Sequence, residues 1–174
     1  MTVDPSLYTV GGVIILDNDG KRLLGKYFGD EFPTLKEQKP FEKKIFEKTR
    51  KRDDEIVLLD GQTICYKTNV DLLFYVIGSQ DENELLLSAV LNCVYDSISL
   101  ILRKNVEKRA LYHHLENVFL AIDEIIDQGI IMEIDPNNVY NRLAIRSEDI
   151  PLSETNLSQF LERAKEEVKW SFFK

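Results

Sequence analysis

Residues 72–79 read Leu-Leu-Phe-Tyr-Val-Ile-Gly-Ser, and they are followed by a second long apolar segment. Six consecutive apolar residues predict a strand buried on both faces and closed by Gly78. Ser79-Gln80-Asp81-Glu82 has the spacing of a capping box, so it predicts a helix that begins here and runs to about Arg103. The two elements together indicate a sheet with helices packed on it.

The apolar band of this second helix is too wide for an ordinary surface helix. Its main stripe comprises Leu85, Leu86, Ala89, Val90, Cys93, Val94, Ile98, Ile101 and Leu102. Leu87, Leu91 and Leu100 fall outside that stripe. We therefore expect the helix to pack on the sheet and to be covered again, and these three leucines are candidate contacts with a partner.

The chain before this stretch predicts four more strands and one helix. A β-rich run from Leu7 to Leu16, the turn 17–20 and a second run through Tyr27 read as a hairpin. A second hairpin joins 56–59 and 63–66 around a tight Asp-Gly turn. Between the hairpins lies a helix from about Lys36 to Lys48, with Thr34 and Glu37 as its capping box. Its weak point is Pro40, which either kinks the helix or marks the start of its regular part.

The chain after this stretch predicts only helices. One runs from about Val106 to Asp127, with Gly129 placed to end it, and a short one begins at Asp135-Pro136. A final amphipathic helix covers 153–170 and carries the candidate partner contacts Leu157, Phe160, Leu161 and Trp170. We expect a domain over 1–150 and an amphipathic extension over 151–174, which packs either on that domain or on a partner. Strands joined by hairpins, then helices, make the fold class α+β.

Composition excludes several classes of protein. A chain of 174 residues with 44% hydrophobic and 30% charged residues is an ordinary globular chain. Its net charge of −8 argues against a protein that binds nucleic acid. We find no signal peptide and no apolar stretch of the roughly 20 residues that a membrane span needs. The two cysteines, Cys65 and Cys93, are too few for a secreted disulfide scaffold, which predicts a protein of a reducing compartment.

The charge is unevenly spread along the chain. Residues 1–52 carry 11 basic and 8 acidic side chains, whereas residues 53–102 carry 1 basic and 9 acidic. The densest basic group consists of Lys43, Lys44, Lys48, Arg50, Lys51 and Arg52. This basic patch is either a solvated helix end or a contact for an acidic partner or a membrane, because nearby acidic residues offset much of its charge.

Catalytic motifs are missing from the sequence. It has no phosphate-binding loop, no nucleophile elbow and no cysteine pair with metal-ligand spacing. The adjacent His113 and His114 point about 100° apart on a helix, so they do not share one metal ion. The acidic group that includes Asp123 and Glu124 reads as a solvated face. We therefore expect no enzyme activity, no catalytic or metal site and no cofactor.

Segments spread over nearly the whole chain carry a family resemblance. They are Ser6–Val10, Ile15–Gly20, Lys36–Lys39, Phe41–Lys43, Phe74–Ser79, Glu82–Leu85, Ala89–Cys93, Arg103–Leu111 and Leu120–Ile125. In these segments the chain resembles the zeta subunits of coatomer, the COPI vesicle coat, and more distantly the small chains of clathrin adaptor complexes. The resemblance implies a longin-like fold, with a five-stranded antiparallel sheet between helices, and a non-catalytic role.

The same resemblance implies partners and a location. Members of the family pair directly with the gamma subunit and meet the beta and delta subunits and Arf GTPase through the complex. A heteromeric, peripheral membrane protein is then expected in the cytoplasm, recruited to Golgi membranes and COPI vesicles for retrograde traffic to the endoplasmic reticulum and within the Golgi. The alternatives are a longin-type regulator of SNAREs or small GTPases outside a coat, and a small hydrolase.

Overall fold

The computed structural model describes residues 9–50 and 55–148, with side chains up to residue 144. The chain divides into two units, Met1–Tyr140 and Asn141–Lys174. The expected boundary after residue 150 lies outside the described residues, as do the predicted helix over 153–170 and the first residues of the predicted first strand.

The first unit is built on a five-stranded antiparallel sheet. Its strands are β1 (Gly12–Asp17), β2 (Arg22–Tyr27), β3 (Ile56–Leu59), β4 (Gln62–Asn69) and β5 (Leu72–Ser79). They lie in the order β2-β1-β5-β4-β3, so the apolar strand β5 is central, between β1 and β4. The predicted fold class and sheet are confirmed.

Both predicted hairpins form. Asp60 and Gly61, which join β3 to β4, both have positive φ (52° and 80°), as a two-residue type I′ turn requires. Gly20, in the turn between β1 and β2, has φ 77°, and an added Cβ would lie 2.7 Å from the Phe46 ring. Glycine is therefore needed there on both counts.

The helix α1 (Leu35–Thr49) covers one face of the sheet. Thr34 is its N-cap, and the Thr34 amide donates a hydrogen bond to the Glu37 carboxylate, at 3.2 Å. Phe41 and Ile45 pack with Tyr75 and other sheet residues in one buried cluster. Pro40 lies inside the helix and is exposed, so α1 begins at its capping box and continues through the proline.

The helix α2 (Glu84–Ile101) packs against β4, β5 and α4 on the opposite side of the sheet. Its first residue is Glu84, five residues after the predicted cap Ser79. Ser79 is instead the last residue of β5, where it pairs with Gln62 of β4. The N-cap is Asn83, whose side chain accepts a hydrogen bond from the amide of Leu85 at 2.9 Å. The capping box predicted at Ser79 was therefore wrong as the helix start.

The predicted third helix is two helices and part of a hairpin. These elements are α3 (Lys108–His113), α4 (Leu115–Ile125), β6 (Ile126–Asp127) and β7 (Ile130–Ile131). Apolar side chains of these two helices, Leu111, Val118, Ile122 and Ile125, are nonetheless buried. Gly129 has φ 91° in the β6–β7 turn, so it serves that hairpin and does not end the helix. The last described helix, α5 (Pro136–Glu148), begins where Asp135-Pro136 predicted.

Candidate partner-binding surfaces

The apolar surface of α2 differs from its predicted pattern. Leu87 and Leu91, expected outside the main stripe, are 0% and 4% exposed and belong to the core. Leu85, expected inside the stripe, is 80% exposed, and its neighbour Leu86 is also exposed. Leu100 is half-buried. The partner contacts predicted at Leu87 and Leu91 are therefore corrected, because both side chains are already enclosed by this domain.

A close helix–sheet approach explains which face of α2 is buried. A Cβ added to Gly78 would lie 2.7 Å from Leu87 Cδ1 and 3.0 Å from the carbonyl oxygen of Thr9. Only a glycine lets Leu87 sit directly on β5 at this point. With Leu87 fixed inward, Leu85 and Leu86 point away from the core at the first turn of the helix.

The predicted contacts in the C-terminal segment, Leu157, Phe160, Leu161 and Trp170, lie outside the described residues. So do Lys51 and Arg52 of the basic patch.

The other cations of the basic patch have partners within the domain. Lys44 forms a 2.8 Å ion pair with Asp60, and Lys43 lies 3.9 Å from Glu47 one turn along α1. The Lys48 ammonium donates a hydrogen bond to the carbonyl of Leu58. The Arg50 guanidinium lies 5.7 Å from the centroid of the Phe46 ring. The charge of this surface is therefore partly neutralised.

A buried ion pair ties α1 to β2 beside this patch. Arg22 pairs with the carboxylate of Glu42, and Arg22 Nη1 also donates to Gln38 Oε1 at 3.0 Å. The hydroxyl of Tyr27 donates to Glu42 Oε1 at 2.9 Å. Burial and the neighbouring Glu42 carboxylate raise the pKa of Tyr27 well above its usual value. Sequence reasoning missed Glu42, because nothing in a helix pattern marks one glutamate among several as buried.

A second buried carboxylate, Asp17, ties the end of β1 to α3. It accepts hydrogen bonds from the amides of Asp19 and Lys21 at 3.0 and 2.8 Å, and from Lys108 Nζ at 2.6 Å. Burial alone would raise the pKa of this carboxyl, but the hydrogen bonds outweigh burial and lower it. The Lys108 amide also donates to Asp71 at 2.9 Å, so α3 begins fixed to two turns of the sheet.

The remaining candidate chemical groups are enclosed or separate from one another. Cys65 and Cys93 are buried free thiols, and burial raises the pKa of Cys93 to about 11. His113 and His114 are exposed. Asp123 forms an ion pair with Lys26. Over the described residues, no three such side chains come together as a metal site.

Among the described helices, α2 alone is long and apolar enough to cross a membrane, with a mean hydropathy of 1.5 over 18 residues. The Val90, Val94 and Ile98 side chains of α2 are buried against the rest of the unit, which is the arrangement of a core helix.

Comparison with known proteins places the chain in a family. Residues 9–150 match the family model for the clathrin adaptor complex small chain. The chain is 58% identical over 174 residues to coatomer subunit zeta-1 of Homo sapiens, covering 100% of this chain and 98% of that protein. It is 51% identical to coatomer subunit zeta-2 of Mus musculus, with 98% and 83% covered. For coatomer subunit zeta-1 of Arabidopsis thaliana the identity is 41%, with 95% and 97% covered.

A chain of a known adaptor-complex structure has the same fold. A chain in a homology model of the full-length AP-3 complex, in a stretched open conformation, superposes with a TM-score of 0.64 at 16% identity. The superposition covers 86% of this chain and 98% of that one. The fold and the full-length sequence matches point to the same family. We conclude that the chain belongs to the clathrin adaptor complex small chain family, among the coatomer zeta subunits.

Proposed function

We propose that this chain is the non-catalytic small subunit of a COPI coat, pairing directly with the gamma subunit in the adaptor-like part of coatomer. Through that complex it meets the beta and delta subunits and Arf GTPase at the cytoplasmic face of Golgi membranes. Its work is retrograde transport to the endoplasmic reticulum and transport within the Golgi. The observation that carries this proposal is 58% identity to a coatomer zeta subunit over the whole chain.

The surface of the domain supports a role in assembly. Two adjacent leucines, Leu85 and Leu86, are exposed to solvent in the first turn of α2, although Leu87, Val90 and Leu91 just after them are buried. Exposed apolar side chains that adjoin a rigid helix suit a subunit contact. We propose that the gamma subunit covers Leu85, Leu86 and Leu100, together with the C-terminal residues Leu157, Phe160, Leu161 and Trp170.

The basic patch is a second proposed surface. Lys43, Lys44, Lys48 and Arg50 each have a neighbour that offsets or contacts the charge, and Lys51 and Arg52 continue the series in sequence. Such a surface attracts an acidic partner or an anionic membrane weakly and at long range, not through a fixed pocket. Its contribution is expected to fall steeply with added salt.

Affinity capture tests the proposal. The tagged full chain is incubated with cytosol, and the captured proteins are identified by mass spectrometry. Gamma, beta and delta coat subunits recovered in similar amounts support the proposal. A SNARE or a small GTPase recovered without coat subunits would refute it in favour of a regulator outside a coat.

The proposed leucine contact has its own test. Burying one leucine side chain contributes about 2 kcal/mol, which is about 30-fold in affinity, so the double variant Leu85→Ser with Leu86→Ser should weaken binding to the gamma subunit by about 30-fold to 1,000-fold. Leu35→Ser is the matched control, because Leu35 is also exposed but lies on α1 at the other face of the sheet. Equal weakening by both variants would contradict a contact at the start of α2.

A further inference from the structure

A groove of about 640 Å³ opens at one end of the sheet, where strands β1, β2, β4 and β5 begin or finish. Its lining comes from the start of β4, the end of β5, the residues before β1, the loop after β2 and Gln128 in the β6–β7 turn. Val10, Tyr27 and Phe28 supply apolar surface. Asp30 and Glu31 supply two carboxylates on the exposed loop. No described lining residue is a lysine, an arginine or a histidine.

Gln62 gives this groove an unpaired acceptor. Gln62 is only 3% exposed, and its Nε2 donates to both oxygens of the Glu31 carboxylate, at 2.7 and 2.6 Å. A carboxylate only accepts hydrogen bonds, so this contact fixes which end of the amide is nitrogen. The opposite atom, Gln62 Oε1, is buried and has no hydrogen-bond partner among residues 9–50 and 55–148. It lies beside Gly11, another lining residue, where an added Cβ would be 3.9 Å away.

An unpaired buried acceptor is costly unless a donor reaches it. Here the donor would also meet the carboxylates of Glu31 and Asp30, so a positively charged group fits best. A guanidinium carries five N–H donors in a planar fork and no acceptor, which matches a set of an amide oxygen and two carboxylates. The apolar walls suit the methylene stem of such a side chain.

We propose that this groove binds an arginine side chain presented by a partner polypeptide. The guanidinium donates to Gln62 Oε1 and to a free lone pair of the Glu31 carboxylate, and its stem lies against Tyr27 and Phe28. Residues 1–8 of this chain contain no arginine or lysine, so the nearest segment in sequence does not supply the group. The inference stands whether or not the chain works in a coat.

Nuclear magnetic resonance on the ¹⁵N-labelled full chain tests the proposal. The probe is the blocked peptide Ala-Ala-Arg-Ala-Ala, compared with peptides in which citrulline or lysine replaces the arginine. We expect the arginine peptide to shift the side-chain amide of Gln62 and the backbone amides of Gly11 and Gly29. The citrulline peptide, equal in shape but uncharged, should shift none of them at the same concentration.

Variants distinguish a specific arginine site from nonspecific electrostatic attraction to the acidic surface. Glu31→Gln should weaken binding of the arginine peptide about tenfold, because it removes one charge-assisted hydrogen bond. Asp81→Asn is the control, because it removes one negative charge near the same end of the sheet but outside this groove. It should leave the affinity for the arginine peptide within about twofold of that of the parent. Gln62→Met removes the acceptor at similar volume, and a thermal melt checks that the variant still folds.

The results of these experiments either support or overturn the arginine site. Localised shifts with the arginine peptide alone, reduced by Glu31→Gln and kept by Asp81→Asn, support the arginine site. Equal binding of the citrulline or lysine peptide would overturn the guanidinium assignment. Shifts spread over other surfaces, no shift at all, or equal weakening by the two acid variants would overturn the site itself.

Discussion

Replacing Gly78 by alanine tests the contact that orients α2. The new Cβ would lie 2.7 and 2.9 Å from the two methyl carbons of Leu87, which is fully buried, and 3.0 Å from the Thr9 carbonyl oxygen. Leu87 is fully buried and the Thr9 oxygen belongs to the backbone, so the neighbours must shift to make room, and overpacking of this kind costs about 1–3 kcal/mol. Alanine regains about 0.5–1 kcal/mol of backbone entropy relative to glycine in a strand. The net expected loss in free energy of unfolding is therefore about 1–2 kcal/mol.

Urea denaturation followed by circular dichroism measures this loss. A thermal melt should show the midpoint of Gly78→Ala lowered by about 2–8 °C, the shift expected for a chain of this size. Gly11→Ala is the matched control, because its added Cβ meets its nearest atoms at 3.6 Å and its φ is not positive. That variant should be as stable as the parent or more stable by about 0.4–1 kcal/mol.

A double-mutant cycle identifies Leu87 as the cause. Leu87→Ala alone should cost about 2–5 kcal/mol, since it empties a buried site. In that background Gly78→Ala should cost less than it does alone, because the clashing methyl carbons are gone. An equal cost in both backgrounds, or a Gly78→Ala variant as stable as Gly11→Ala, would refute the account of how α2 is placed.

Three further outcomes follow from groups described above. The pKa of Asp17 is lowered by folding, so its contribution to stability is present above its ordinary pKa of 3.8 and is lost as pH falls through the lower folded value; urea midpoints at pH 7 and pH 3 should therefore differ less in Asp17→Asn than in the parent. Cys65 and Cys93 are buried and their pKa values are raised, so Ellman's reagent at pH 8 should label them slowly in the native protein and at once in urea. Pro40→Ala restores a helical amide in the exposed face of α1 and should raise the free energy of unfolding by about 1–3 kcal/mol, measured by urea denaturation.

Each of these has a result that contradicts it. The parent and Asp17→Asn would show the same pH dependence if the Lys108 contact did not stabilise the native state. Rapid labelling of the native thiols would mean that the core opens readily around α2 or β4. For the proline, Lys39→Ala on the same exposed turn is the control, and an equal gain in both variants would point to helix propensity alone.

The sheet was predictable because its signals are local. Strand β5 is a continuous apolar run, and Asp60-Gly61 has the residues that a two-residue turn requires. The start of α1 was likewise marked by Thr34 and its partner three residues on. Each of these features is determined by residues close together in the sequence, so hydrophobic periodicity and turn residues are enough to predict it.

Features set by distant neighbours were not predictable. The buried face of α2 depends on the crossing of Leu87 over Gly78, which a helical wheel does not contain. Ser79 and Asn83 are both good caps, and only the pairing of Ser79 with Gln62 decides between them. Strands β6 and β7 have two residues each and show no period. The groove at Gln62 collects residues from five separate parts of the chain, so no local motif marks it.

The contact between Lys48 and the carbonyl of Leu58 has a consequence for solubility. Strand β3 is the last strand of the sheet on its side, so its outer backbone groups would otherwise offer a template to a strand of another molecule. The Lys48 ammonium occupies an outward acceptor of that strand, and the Lys44–Asp60 pair places two charges beside it. Two lysines of the basic patch thus protect the sheet from edge-to-edge aggregation, whatever else the patch contacts.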